Sequence, residues 1–189
     1  METISAFHWR SQRGTSLIEL LVTIVIVAFG LVGVAGLQSR MQLSEVEAYQ
    51  RTQALILLND MANRITVNRS LAAEYVTGEL GAGMACPISP ATRPEIDALE
   101  WCNALQGAAE VTSAGDSAGA MLGGRGCVQA LPNNEYMVTV AWQGMAPVSA
   151  PPASVTCGFG EYDGAAETGC IGDRCRRVVT TIVRIAALD

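Results

Sequence analysis

From Leu20 to Ser39 the chain carries no charge and is apolar at most positions. As an α-helix such a stretch spans about 30 Å, the thickness of a bilayer's hydrocarbon layer. From Gln38 to Asn68 the pattern changes. There is no Pro or Gly, helix formers dominate, and Leu37, Met41, Ala48, Leu55, Leu58, Ala62 and Ile65 recur near one face. Arg40, Glu47, Arg51, Asp60 and Arg64 fall mostly elsewhere, the pattern of an amphipathic helix lying on a surface. The two stretches together predict one helix from about Ser16 to Asn68, roughly 80 Å long. Its first half is apolar all round and its second half on one side only.

Thr77-Gly78 and Gly81-Ala82-Gly83 then break the helical pattern, and Cys86-Pro87 and Ser89-Pro90 restrict the chain further. Thr92-Arg93-Pro94-Glu95 fits a capping box, so a helix through IDALEWCNALQ is expected to end near Gly107. Residues 107–126 are rich in Gly, Ala and Ser and read as a surface loop. Gly126 to Ala130 reads as a strand, followed by the turn cluster Leu131-Pro132-Asn133-Asn134. Glu135 to Trp142 alternates, with Tyr136, Val138, Val140 and Trp142 on one face and Met137, Thr139 and Ala141 on the other. Residues 144–154 are Pro-rich, and Arg177 to Ile185 forms a last strand. The fold class is α+β: a long N-terminal helix packed on a small antiparallel β-sheet with one face free to cover that helix. No internal repeat is visible.

Composition narrows the chemistry. All twelve basic residues are arginine, and the single histidine, His8, precedes the apolar run. Without lysine or a histidine beyond that point, a Ser-His-Asp triad, a Cys-His pair, a Schiff base, a P-loop and histidine metal sites are all excluded. Carboxylates remain, but their spacing shows no paired acid and base, so the chain reads as not an enzyme and as using no cofactor. A net charge of −6 argues against nucleic acid as a partner.

Six cysteines, Cys86, Cys102, Cys127, Cys157, Cys170 and Cys175, all follow the apolar run. An even number in an exported domain reads as disulfides, with fifteen ways to pair all six. Cys86–Cys102 is the expected local bridge, tying the loop to the capped helix, and pairings among the other four stay open. Cys170-x4-Cys175 lacks the short knuckle of a zinc site. Glu161, Asp163, Glu167 and Asp173 lack EF-hand spacing for calcium, so no metal site is assigned.

The N-terminal edge of the apolar run carries the most specific pattern. A secretory signal peptide could be cut after Gly33-Val34-Ala35, but the helical pattern continues straight through that site. A plain single-pass anchor explains the length and the preceding arginines but leaves Glu19 unexplained. Arg13-Gly14-Thr15-Ser16-Leu17-Ile18-Glu19 resembles the type IV prepilin motif: a basic leader, a glycine, four residues, a glutamate, then apolar helix. The resemblance implies cleavage between Gly14 and Thr15 by a prepilin peptidase and N-methylation of the Thr15 amine. It also implies an assembly charge pair between Glu19 and that amine. Thr15 stands where most prepilins carry Phe.

Further along, Gln53-Ala54-Leu55, Asn59 to Ile65, Gly124-Arg125-Gly126-Cys127-Val128 and Thr139 to Gln143 look like the PilV group of minor pilins. That resemblance implies a leader (1–14), a transmembrane and assembly helix (15–39), an amphipathic spine (40–68) and a disulfide-stabilised head (69–189). It implies a structural subunit held in the inner membrane with its head in the periplasm, and later in a fibre at the cell surface. The implied partners are other minor pilins, the major pilin, the prepilin peptidase, the inner-membrane assembly platform and the membrane itself. A minor pseudopilin of type II secretion shares the N-terminal half, and an exported membrane-anchored binding domain is the reading outside pili. The 107–126 loop and the 157–175 segment are the expected contact surfaces of the head.

Overall fold

The computed structural model describes residues 16–108 and 121–186. Gly14 and Thr15 lie outside the described residues, as does most of the 107–126 loop. The elements run α1 (Leu17–Val67), a 3-10 segment (Arg69–Tyr75), β1 (Thr77–Gly81), α2 (Arg93–Leu105), β2 (Arg125–Leu131), β3 (Glu135–Gln143) and β4 (Arg176–Arg184). Two compact units result, one up to Leu43 and one from Ser44 onward. The class is α+β, a long N-terminal helix with a small antiparallel sheet, consistent with a type IV pilin-like fold.

The sheet is a four-stranded antiparallel meander in the order β1-β2-β3-β4. The turn between β2 and β3 uses Asn133 and Asn134 at φ of 63° and 53°. Asparagine tolerates that left-handed region better than other side-chain-bearing residues, and the Pro-Asn-Asn run therefore sets the hairpin register, Leu131 opposite Glu135.

β1 was not expected. It is five residues with two glycines and an irregular register between Thr77 and Leu80. Its pairing with β2, not its own sequence, makes it a strand. The strand expected from Gly126 begins at Arg125, and Met121 just before it is buried, so the surface-loop reading fails at the C-terminal end of 107–126.

The buried side of α1 is Gln50, Ala54, Leu58, Met61 and Ile65, at helical spacing. This face is offset from the expected one, because Ala48 and Leu55 are exposed. Ala54, Leu58, Met61 and Ile65 join Tyr75, Trp101 and Leu105 against Val128, Tyr136, Val138, Val140 and Trp142 of the sheet. The Trp101 indole donates to the Leu57 carbonyl at 3.0 Å, so its polar edge is satisfied in the core. α2 opens with the full capping box: Thr92 Oγ1 accepts from the Glu95 amide, and Glu95 accepts from the Thr92 amide.

The second face of the sheet is covered at one end, while Thr180 and Ile182 of β4 on the same face stay exposed. Thr139 and Ala141 of β3 are buried, and Gly158 and Tyr162 lie over Ala141. The cover is drawn from residues 155–175. Arg176 holds it from below, donating to the carbonyls of Val155 (2.7 Å) and Cys157 (3.0 Å) and pairing with Asp173 at 3.1 Å. Tyr162 donates to the Gly123 carbonyl at 2.8 Å. Burial pushes its phenol pKa up.

Candidate functional site

Residues 17–37 of α1, Glu19 apart, present a largely apolar surface that none of the described residues covers. Leu17 is 89% exposed and Phe29 76% exposed. Among the described residues this is the one helix long and apolar enough to cross a membrane. Gly30, Gly33 and Gly36 have open space where a Cβ would stand, so no contact among the described residues requires them. Their bare backbone suits close approach by other helices. Thr23, the polar side chain between Glu19 and Gln38, donates to the Leu20 carbonyl at 2.8 Å and so satisfies its hydroxyl within the helix.

Glu19 lies in the first turn, where the amides of Glu19 and Leu20 reach back to the Ser16 carbonyl at 3.0 and 3.2 Å. A carboxylate in the first turn interacts favourably with the helix dipole. Among the described residues Glu19 has no cationic partner. The apolar run up to Leu37 thus begins with one exposed acid that has no cationic partner among the described residues.

Residues 9–35 match the prokaryotic N-terminal methylation motif. The N-terminus is type IV prepilin-like. The match spans Gly14, Thr15, Glu19 and the apolar stretch up to Ala35. Pilin-like chains of this motif are structural subunits. No curated protein and no solved structure matches the chain. The prepilin-like N-terminus fits a membrane-anchored chain that works with pilus or pseudopilus partners.

The remaining residues singled out in the sequence are in the second unit. The cysteines pair as Cys86–Cys102, Cys127–Cys157 and Cys170–Cys175, with Cα separations of 5.7, 5.9 and 5.1 Å. Bonded to one another, Cys170 and Cys175 are not zinc ligands. Three of the four acids considered for calcium are engaged with protein, each separately. Glu161 pairs with Arg125, Asp163 accepts from the amides of Gly172 and Asp173, and Asp173 accepts from the Gly160 amide and pairs with Arg176. No metal-holding cluster exists among the described residues. The 157–175 segment is the sheet's second cover and not a free loop, although Phe159 on it is 66% exposed.

Sequence reasoning missed the charged clamp beneath α2. Asp97 is fully buried and accepts from Arg64 Nη1 at 2.6 Å, Arg93 Nη2 at 2.7 Å and the Tyr75 hydroxyl. Burial opposes the Arg64 charge, but hydrogen bonds to Glu100, Asp60 and Asp97 outweigh it and push the guanidinium pKa above its ordinary value. Burial, then the bond to Asp97, pushes the Tyr75 phenol up to about 12. One carboxylate thus ties α1, the 3-10 segment and α2 together.

Proposed function

We propose that the chain is a minor pilin of the PilV type, a structural subunit that helps prime a bacterial type IV pilus and enters it. The prepilin peptidase cuts between Gly14 and Thr15, and the new Thr15 amine is N-methylated. The apolar half of α1 holds the subunit in the inner membrane until the assembly platform extracts it. Its surface then exchanges lipid for the helices of the major pilin and of other minor pilins. Glu19 meets a positively charged Thr15 amine, its own or a neighbour's. A misplaced subunit would leave both charges unpaired in an apolar surround, so the pair sets axial register.

The observation that carries this reading is the exposed apolar helix that opens with one acid, unpartnered among the described residues, inside a stretch matching the methylation motif. The decisive measurement is the N-terminal sequence and mass of the membrane-extracted protein. A start at N-methylated Thr15 supports the reading. A start at Gly36 marks a secretory signal peptide, and an uncut leader marks a simple anchor. Recovery of the protein in sheared surface fibres separates a pilin from a secretion pseudopilin.

A further inference from the structure

β4 ends the sheet. Its inner edge is bonded to β3 from Arg176 to Arg184. On its outer edge, residues 177–184 have no backbone partner among the described residues; bonds outside the ladder occur only at Arg176 and Ile185. The strand reads RRVVTTIVR: β-branched at its centre, without proline, and without an acid. A long free edge of that composition is a template for another strand.

Beside its N-terminal end lies a groove of about 440 Å³, walled by Glu47 and Arg51 of α1, Trp142 of β3, and Arg177 and Val179 of β4. Glu47 is already engaged, accepting from the Met145 amide at 3.1 Å and from Arg177 at 3.4 Å. Arg51, exposed at the groove, forms no ion pair among the described residues, since Glu47 one turn before it is turned to Arg177. The groove therefore carries one uncompensated positive charge next to unpaired backbone. At the strand's far end Arg184 pairs with Glu135 but is still 76% exposed at its side chain.

We propose that the outer edge of β4 binds an extended segment of a different polypeptide, which adds as a fifth strand and sets an acidic side chain against Arg51. Main-chain bonds to residues 177–184 hold the segment, and the groove selects its charge. A second copy of β4 is the wrong occupant. The antiparallel register that overlaps 177–184 with itself puts Arg177 opposite Arg184, and like charges directly opposite destabilise a pair. A register shifted by one residue separates these arginines, but no register of β4 on itself brings a carboxylate to Arg51, because the strand has none to offer. The proposal stands apart from fibre entry, since it needs only the sheet edge and Arg51.

The test uses the full-length chain in detergent micelles and two synthetic ten-residue peptides of alternating Val and Thr. One ends in two Glu residues and the other in two Lys. The Glu peptide is expected to bind at least tenfold more tightly, and to slow exchange of the outward amides of 177–184 at least tenfold. In Arg51→Glu, at an exposed helix position, the preference between the peptides should reverse. Binding of neither peptide, equal binding of both, or protection confined to other segments overturns the proposal. So does protection of 177–184 in a dimer of the chain alone.

Discussion

The Trp101 ring lies directly on Gly126: a Cβ built there would stand 2.3 Å from Cη2 and 2.7 Å from two further ring carbons. Helix α2 meets strand β2 at the one residue type that leaves room for the indole. Gly126→Ala should therefore cost about 1–3 kcal/mol, or more, through overpacking. Thermal unfolding with the disulfides intact measures this. Gly78→Ala, where the added carbon meets nothing within 4 Å, is the control and should shift the midpoint little.

Asp97 serves two arginines and a tyrosine from a fully buried position. Replacing it with Ala takes the acceptor from the buried Tyr75 hydroxyl and one of three carboxylates from Arg64, which keeps Asp60 and Glu100, and the expected loss is about 1–3 kcal/mol. Chemical denaturation of Asp97→Ala and Arg93→Ala gives the comparison. Arg93 is more than half exposed at its side chain, so its removal should cost much less.

Tyr75 adds a signature at alkaline pH. Its pKa is raised from 10.0 to about 12 in the fold, so the native state holds the phenol proton more tightly than the unfolded chain does. The resulting stability is fully present below pH 10 and is lost as pH rises toward 12. Tyr75→Phe should flatten that part of the stability profile and remove a late phenolate absorbance step near pH 12. An unchanged titration curve would contradict the assignment.

The Cys127–Cys157 bridge joins β2 to the cover over the sheet's second face. Replacing both cysteines with Ala should cost about 2–4 kcal/mol. Hydrogen exchange should rise first in 155–175, with the α1 side of the sheet affected less. Uniform loosening of both faces would show that the cover and the core do not separate.

Glu19→Ala tests the proposed charge pair apart from the anchor. Leader cleavage and membrane insertion should proceed, while the amount of the protein in sheared fibres falls. Normal incorporation would remove the pairing from the account.

Much of this was legible because it was local. The capping box, the Asn-Asn turn and the period-two alternation of β3 each declare themselves within a few residues. β1 did not, because Thr-Gly-Glu-Leu-Gly becomes a strand only through its neighbour. The cover over Thr139 and Ala141 was hidden by its own Pro and Gly content, which reads as loop whether or not it packs. Asp97 looks like any acid near a helix start. Only the fold shows that two arginines converge on it from different elements. The prepilin-like segment was the reverse case, written almost entirely in residues 9–35, with no dependence on the rest of the fold.

The three bridges carry a consequence for biogenesis. Each joins a cysteine to the next one along the chain: first to second, third to fourth, fifth to sixth. None encloses or crosses another. A head threaded N-terminus first through a membrane would present its thiols to an oxidase in that same order. Joining each thiol to the next arrival produces the native set directly, and no shuffling step is required to reach it.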